Sequence, residues 1–233
     1  MQKLFLEIIA TSLDDVARIN DSKASRIELC ADMAADGLSP SRELIAQVTE
    51  VSRLPVRIMI RPTGRDFVFT VAEYVEMRRL IAFVKTTQAE GVVLGILEKN
   101  GEIDLQRTAQ LVALAAPLPV TFHRAIERVR DQVSAFSQLQ ALGVQSVLSS
   151  GNAKPLEEKL LLLKELNALS SPQLIVGGGI TEQDIPVLAQ AGISRIHLGR
   201  AVREQASYAN PILSAKINRF VGNGLYVSND CTT

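Results

Sequence analysis

The chain has 233 residues, 47% of them hydrophobic and 21% charged, and its 25 Lys and Arg balance 25 Asp and Glu. The length suits one α/β barrel or two small domains, and the composition supports a large core and excludes a disordered chain. The even charge leaves no electrostatic footprint for nucleic acid or an anionic membrane, and no apolar run is long enough to span a bilayer.

From the N-terminus, residues 4–9 read as a first strand, because Glu7 interrupts what would be the apolar region of a signal peptide. Residues 26–29 and 56–60 read as the next two strands, with Ser39-Pro40 between them as a cap residue and first-turn proline of a helix. Thr70 followed by Glu73 is a capping box that opens a helix over 71–84. Strands follow at 91–95 and 120–123. Leu118-Pro119 leads into the second of these, as Leu54-Pro55 leads into the strand at 56.

Gly143 ends a helix before a strand at 146–149, and residues 156–166 read as a helix apolar on more than one face. A strand at 173–176, a helix start at Thr181 and Asp184, a glycine stop at Gly192 and a strand at 195–198 complete the series. About eight strands alternating with helices imply parallel pairing and right-handed crossovers. The fold expected is therefore a single TIM-type (β/α)8 barrel over residues 1–221, with outer helices and a polar tail over 222–233. An open doubly wound sheet is the alternative, but no Gly-x-Gly-x-x-Gly follows the first strand.

Function in such a barrel is expected at the strand C-termini and the loops after them. Glu7, Glu28, Arg61, His123 and Arg124 are polar residues at such positions. Alternation along a strand gives Glu28 the face of Cys30, Arg61 the face of Met59 and His123 the face of Thr121. Carboxylates, a guanidinium and an imidazole converging on one pocket suit proton transfer on a small carboxylated or phosphorylated metabolite. A structural ion-pair network sealing the barrel is the alternative reading of the same residues.

Ser149, the Gly177-Gly178-Gly179 run after the seventh strand and Gly199-Arg200 after the eighth form a candidate phosphate grip, or else a pair of tight turns. The two histidines, His123 and His197, make no zinc-spaced pair, and the two cysteines, Cys30 and Cys231, make no disulfide framework. Free thiols without an export signal favour the cytoplasm. Copper(I) prefers sulfur, so Cys30 and Met59 are its candidate ligands.

Several long stretches resemble the copper homeostasis protein CutC family. They are Ser25-Arg26-Ile27-Glu28-Leu29-Cys30-Ala31, Asp36-Gly37-Leu38-Ser39-Pro40-Ser41, residues 59–67, Pro119-Val120-Thr121-Phe122-His123-Arg124-Ala125, residues 147–151 and Gly177-Gly178-Gly179-Ile180. The resemblance implies a cytoplasmic barrel, often oligomeric, associated with copper handling. Family members commonly carry a cysteine shortly after the first-strand glutamate, whereas this chain reads Glu7-Ile8-Ile9-Ala10-Thr11-Ser12. Gly199-Arg200 stands where the family usually has a small-residue pair, and it reads as a phosphate clamp.

Overall fold

The structure is a computed structural model that describes residues 4–152 and 155–224. Eight strands, β1 Phe5–Ala10, β2 Arg26–Leu29, β3 Val56–Met59, β4 Gly91–Leu94, β5 Val120–Phe122, β6 Ser146–Ser149, β7 Gln173–Val176 and β8 Arg195–Leu198, pair in parallel in chain order. Pairing of β8 with β1 closes the barrel. The helices between and after them are α1 Leu13–Asn20, α2 Arg42–Val51, α3 Val71–Val84, α4 Leu105–Ala115, α5 Gln132–Ala141, α6 Leu156–Ala168, α7 Asp184–Gln190 and α8 Ser214–Gly224. The fold is the (β/α)8 barrel expected from the alternation. None of these helices is long and apolar enough to cross a membrane.

Local chemistry explains where the helices start. The Thr70 hydroxyl accepts from the Glu73 N–H and the Glu73 carboxylate accepts from the Thr70 N–H, closing the capping box that opens α3. The Thr181 N–H and hydroxyl both donate to Asp184 at the start of α7. Ser39 is a correction. The cap of α2 is Ser41, whose hydroxyl accepts from the Leu44 N–H, while the Ser39 hydroxyl accepts from the Arg61 N–H at 2.7 Å. Ser39 therefore ties the loop after β2 to the end of β3. The segment read as a tail begins inside α8, so residues 222–224 are helical, and the rest of it, with Cys231, lies outside the described residues.

Alternation splits each strand between two environments. Leu6, Ile8, Ile27, Leu29, Ile58, Val92 and Leu94 face outward into the core beneath the helices. The other parity faces the barrel axis, where alternate strands contribute side chains in layers of four. Following the register round the barrel sets those layers. The lowest, at the strand N-termini, holds Arg26, Gly91, Ser146 and Arg195. The next holds Glu7, Arg57, Thr121 and Ile175. Above it come Glu28, Val93, Leu148 and His197, then Ile9, Met59, His123 and Gly177. Cys30, Gly95, Ser150 and Gly199 form the top.

Candidate active site

A cavity of about 360 Å³ opens at the C-terminal end of the barrel, lined by residues of the three upper layers and of the loops above them. Glu28, Cys30, Met59, Arg61, His123, Arg124, Gly178, Gly179, Gly199 and Arg200, all singled out from the sequence, line it. Glu7 lies one layer below. Ser149 and Gly177 are not in the cavity wall: the Ser149 hydroxyl accepts from the Gly151 N–H, and Leu148 takes the inward position of β6.

The floor of the cavity is His197, held from below by Glu7. Nδ1 of His197 lies 2.8 Å from Glu7 Oε1, and Arg26 Nε donates to Glu7 Oε2 at 2.6 Å. Burial alone would raise the Glu7 carboxyl, but Arg26 and His197 outweigh it and hold it down at about 2. Burial would likewise lower His197, but the Glu28 and Glu7 carboxyls raise it. Its Nε2 lies 3.7 Å from Glu28 Oε2. Glu28 is raised by burial and by the Glu7 charge, and its Oε1 is buried with no hydrogen-bond partner. The Cys30 thiol donates to Glu28 Oε2 at 3.3 Å, and burial followed by the Glu28 charge pushes it well above its ordinary value. Cys30 is thus a protonated thiol rather than a nucleophile.

His123 behaves differently. Its Nδ1 accepts from the Ala125 N–H at 3.2 Å, which leaves the proton on Nε2. Burial, helped by the Arg61 charge, lowers it to about 3. His123 is therefore a neutral donor whose buried Nε2 has no partner. Gly95 makes room for the ring, since a Cβ there would sit 2.6 Å from its Nδ1 and Cε1.

Arg61 is 4% exposed. Its Nη1 donates to the Ala35, Asp36 and Gly37 carbonyls at 3.0, 3.0 and 3.2 Å, its plane lies 4.9 Å from the Phe67 ring centroid, and its Nε is unpartnered. Arg124 is gripped by Glu127 through two 3.0 Å hydrogen bonds, while Arg200 stands exposed at the rim. At Gly199 the close approach comes from within the chain, because a Cβ there would fall 2.0 Å from the Tyr208 hydroxyl.

Sulfur gathers on one wall. Cys30 and Met59 pack with Ile9 and Val93, and Met33 and Tyr208 lean on them. Cys30 Sγ and Met33 Sδ both lie within 3.7 Å of the point where a Gly37 Cβ would be. Ala10, in the region where members of the resembled family commonly carry a cysteine, faces the outer core. Among the described residues the acidic and imidazole groups that could share a metal ion are Glu7, Glu28 and His197. Two carboxylates and a nitrogen, one carboxylate already paired with Arg26, do not suit copper(I).

Sequence reasoning missed His197, Met33 and Tyr208. The signal for His197 was present, since it shares the parity of Gly199 on β8. Met33 opens a one-turn 3-10 helix, Met33–Ala35, and Tyr208 stands on a turn, both outside the strands and α-helices whose period points a side chain.

A closed parallel barrel with a ligand-sized polar cavity at its C-terminal face defines the class of protein. The chain belongs to the CutC family, whose model matches residues 4–202. It is 36% identical over 193 residues to a family protein CutC of Klebsiella pneumoniae (strain 342), covering 82% of this chain and 78% of the relative. It is also 36% identical over 195 residues to a Mus musculus protein named copper homeostasis protein cutC homolog, covering 82% and 72%. A CutC crystal structure from Streptococcus agalactiae superposes with TM-score 0.78 at 32% identity, covering 84% of this chain and 98% of that one. Phosphoribosyl anthranilate isomerase from Thermococcus kodakaraensis, at 12% identity and TM-score 0.64 over 97% of this chain and all of that one, shares the fold alone.

Proposed function

We propose that this CutC-family barrel is a cytoplasmic enzyme that moves a proton on a small carboxylated or phosphorylated metabolite held at the top of the barrel. The observation that carries the reading is Glu28: a buried carboxyl, raised in pKa, with one oxygen unpartnered in the cavity wall and the other facing His197. A buried carboxyl whose pKa is raised is suited to take and return a proton, and perturbed groups of this kind gather at active sites. Glu7 is too acidic and too fully paired to do so, and serves as a positioning residue for His197. His123, neutral and donating from Nε2, suits an oxygen on which charge develops. Arg61, Arg124 and Arg200, with the Gly178 and Gly179 backbone, surround the space for the anion.

The test is a melting-temperature screen against phosphorylated and carboxylated metabolites, followed by deuterium exchange into the bound compound in heavy water. Stabilisation by an anion and exchange lost in Glu28→Gln are expected. A screen with no responder, or exchange undiminished in Glu28→Gln, overturns the reading.

The sulfur wall favours a second reading, with copper(I) as cargo on Cys30, Met59 and Met33. Titration of copper(I) into the reduced protein against a competing chelator separates the two. Tight one-to-one binding abolished by Cys30→Ala supports cargo, and no uptake above the chelator removes it.

A further inference from the structure

The loops that most often grip phosphate in a barrel of this kind follow the seventh and eighth strands. Here the two are unlike. After β7 the backbone is open, with nothing within 4 Å of where a Gly179 Cβ would be. After β8 the chain itself fills the space. A Cβ on Gly199 would fall 2.0 Å from the Tyr208 hydroxyl and 3.0 Å from Tyr208 Cζ. Gly199 therefore makes room for a phenol rather than for a phosphate, and that phenol borders the cavity.

Tyr208 is held there by a built loop. Arg203 and Ile212 close residues 203–212 in an antiparallel bridge, and the Glu204 N–H donates to the Pro211 carbonyl at 3.0 Å. The Arg203 guanidinium, 2% exposed, binds the Asp15 carboxylate of α1 through both Nη atoms and the Asn210 carbonyl through Nη1. It lies 5.1 Å from the centroid of the Tyr208 ring. Gln205 and Ala206 take φ values of 50° and 52°, a left-handed cost that persists only where the surroundings over-determine it. The loop so anchored leans one side chain, Tyr208, on the wall of Cys30 and Met59. Burial, then the Cys30 and Glu28 neighbours, raise the phenol above its ordinary value, so it keeps its proton and stays a donor.

The charge of the wall points the same way. Arg124 is taken up by Glu127, and Arg61 Nη1 by three backbone carbonyls. Arg61 Nε, buried without a partner, and Arg200 at the rim remain for a ligand. A phosphate ester carries a charge of about −1.5 to −2 at neutral pH. It would bring that charge beside the Glu28 carboxyl, which lines the same cavity of about 360 Å³. One negative charge suits this wall better than two.

We propose that the ligand of the cavity is a small monocarboxylate rather than a phosphate ester, and that Tyr208 sets the preference by donating its hydroxyl to the carboxylate in front of Gly199. The inference rests on the reading of the cavity as an anion site and narrows that reading to one class.

Calorimetric titration of glycerate, glycerol phosphate and inorganic phosphate into the full chain tests it. Glycerate should bind more tightly than either phosphate. Tyr208→Phe keeps the ring against Arg203 and removes only the hydroxyl, so its affinity for glycerate should fall roughly ten- to a hundredfold, the worth of a hydrogen bond to a charged group. Tyr208→Ala opens the space in front of Gly199 and should gain affinity for inorganic phosphate. A wild-type chain that binds a phosphate as tightly as glycerate, or binds none of the three, would overturn the proposal. So would glycerate affinity unchanged in Tyr208→Phe, or no gain of phosphate in Tyr208→Ala. Proton transfer is a separate matter. Deuterium exchange into a phosphate ester would support the enzyme reading and sink this one, whereas glycerate binding with the expected variant effects but no exchange into any compound would do the reverse.

Discussion

Replacing Glu7 by Gln tests the support beneath the candidate site. The Glu7 carboxyl is fully buried and drops from its ordinary 4.5 to about 2. A depression of that size is worth about 3 kcal/mol at neutral pH. An independent route agrees in scale, since removing one partner of a buried pair leaves Arg26 uncompensated at a cost of about 3–5 kcal/mol. The sign follows from linkage. A carboxyl whose folded pKa is depressed gives stability that is present in full above 4.5 and lost as the pH falls towards 2. Urea unfolding of both proteins at pH 7, 4 and 3 measures it. Glu7→Gln should lose about 3 kcal/mol at pH 7, a fall of roughly 6–12 °C in melting temperature for a chain of this size. The difference between the two proteins should shrink at pH 3. A loss below about 1 kcal/mol at pH 7, or a gap unchanged at pH 3, would refute a carboxylate clamped between Arg26 and His197.

Other consequences are as direct. In a nitrogen-detected NMR titration His123 should stay neutral with its proton on Nε2 from pH 8 down to 5, while His197 titrates above 6.5. His123 then favours unfolding as the pH falls below 6.5, because the unfolded chain takes the proton first. His197 contributes stability below 6.5 that is lost as the pH rises through its folded pKa. Asp15 accepts from Arg203 at 3.1 and 2.5 Å in a buried bidentate pair, so Asp15→Ala should cost about 3–5 kcal/mol in urea unfolding. Gly199→Ala should cost about 1–3 kcal/mol by driving a methyl into the Tyr208 hydroxyl, and Tyr208→Ala in the same chain should restore most of it. Equal stability of the single and double variants would place the strain elsewhere.

The barrel was legible in the sequence because short apolar runs, glycine stops and capping pairs repeat at one strand per helix. The inward set was half legible. Parity tied Glu28 to Cys30 and Arg61 to Met59, and the structure puts all four in one wall. It could not say at which height each side chain stands, because height depends on the stagger between strands, which no single strand encodes. Glu7 and His123 share an inward parity yet lie two layers apart, so one supports the site and the other lines it. Ser149 was misplaced by one residue: the slip carries it to the outer face, and Ser150 and Leu148 take the inner one. Met33, in a single 3-10 turn, and Tyr208, on a turn, had no period to betray them.

Height also explains why the interior can be charged without being a channel. The guanidinium of Arg57, fully buried, is taken up by Glu90, Thr121 and Gln145, so the middle of the barrel is sealed by an ion pair rather than by leucines. A sealed charged plug fixes Arg26, Arg26 fixes Glu7, and Glu7 fixes the His197 ring that faces Glu28. The Arg26–Glu7 and Glu7–His197 links are buried hydrogen bonds, where a misplaced partner is expensive, while Glu90 reaches Arg26 at 3.9 Å and His197 faces Glu28 at 3.7 Å. The cavity end of the barrel therefore inherits its orientation from residues near the opposite mouth. Arg57→Met should show this: stability falls, and the His197 titration moves towards its ordinary value as Glu7 loosens, although Arg57 touches nothing in the cavity. An unmoved His197 titration in that variant would mean that the cavity is held from its own rim alone.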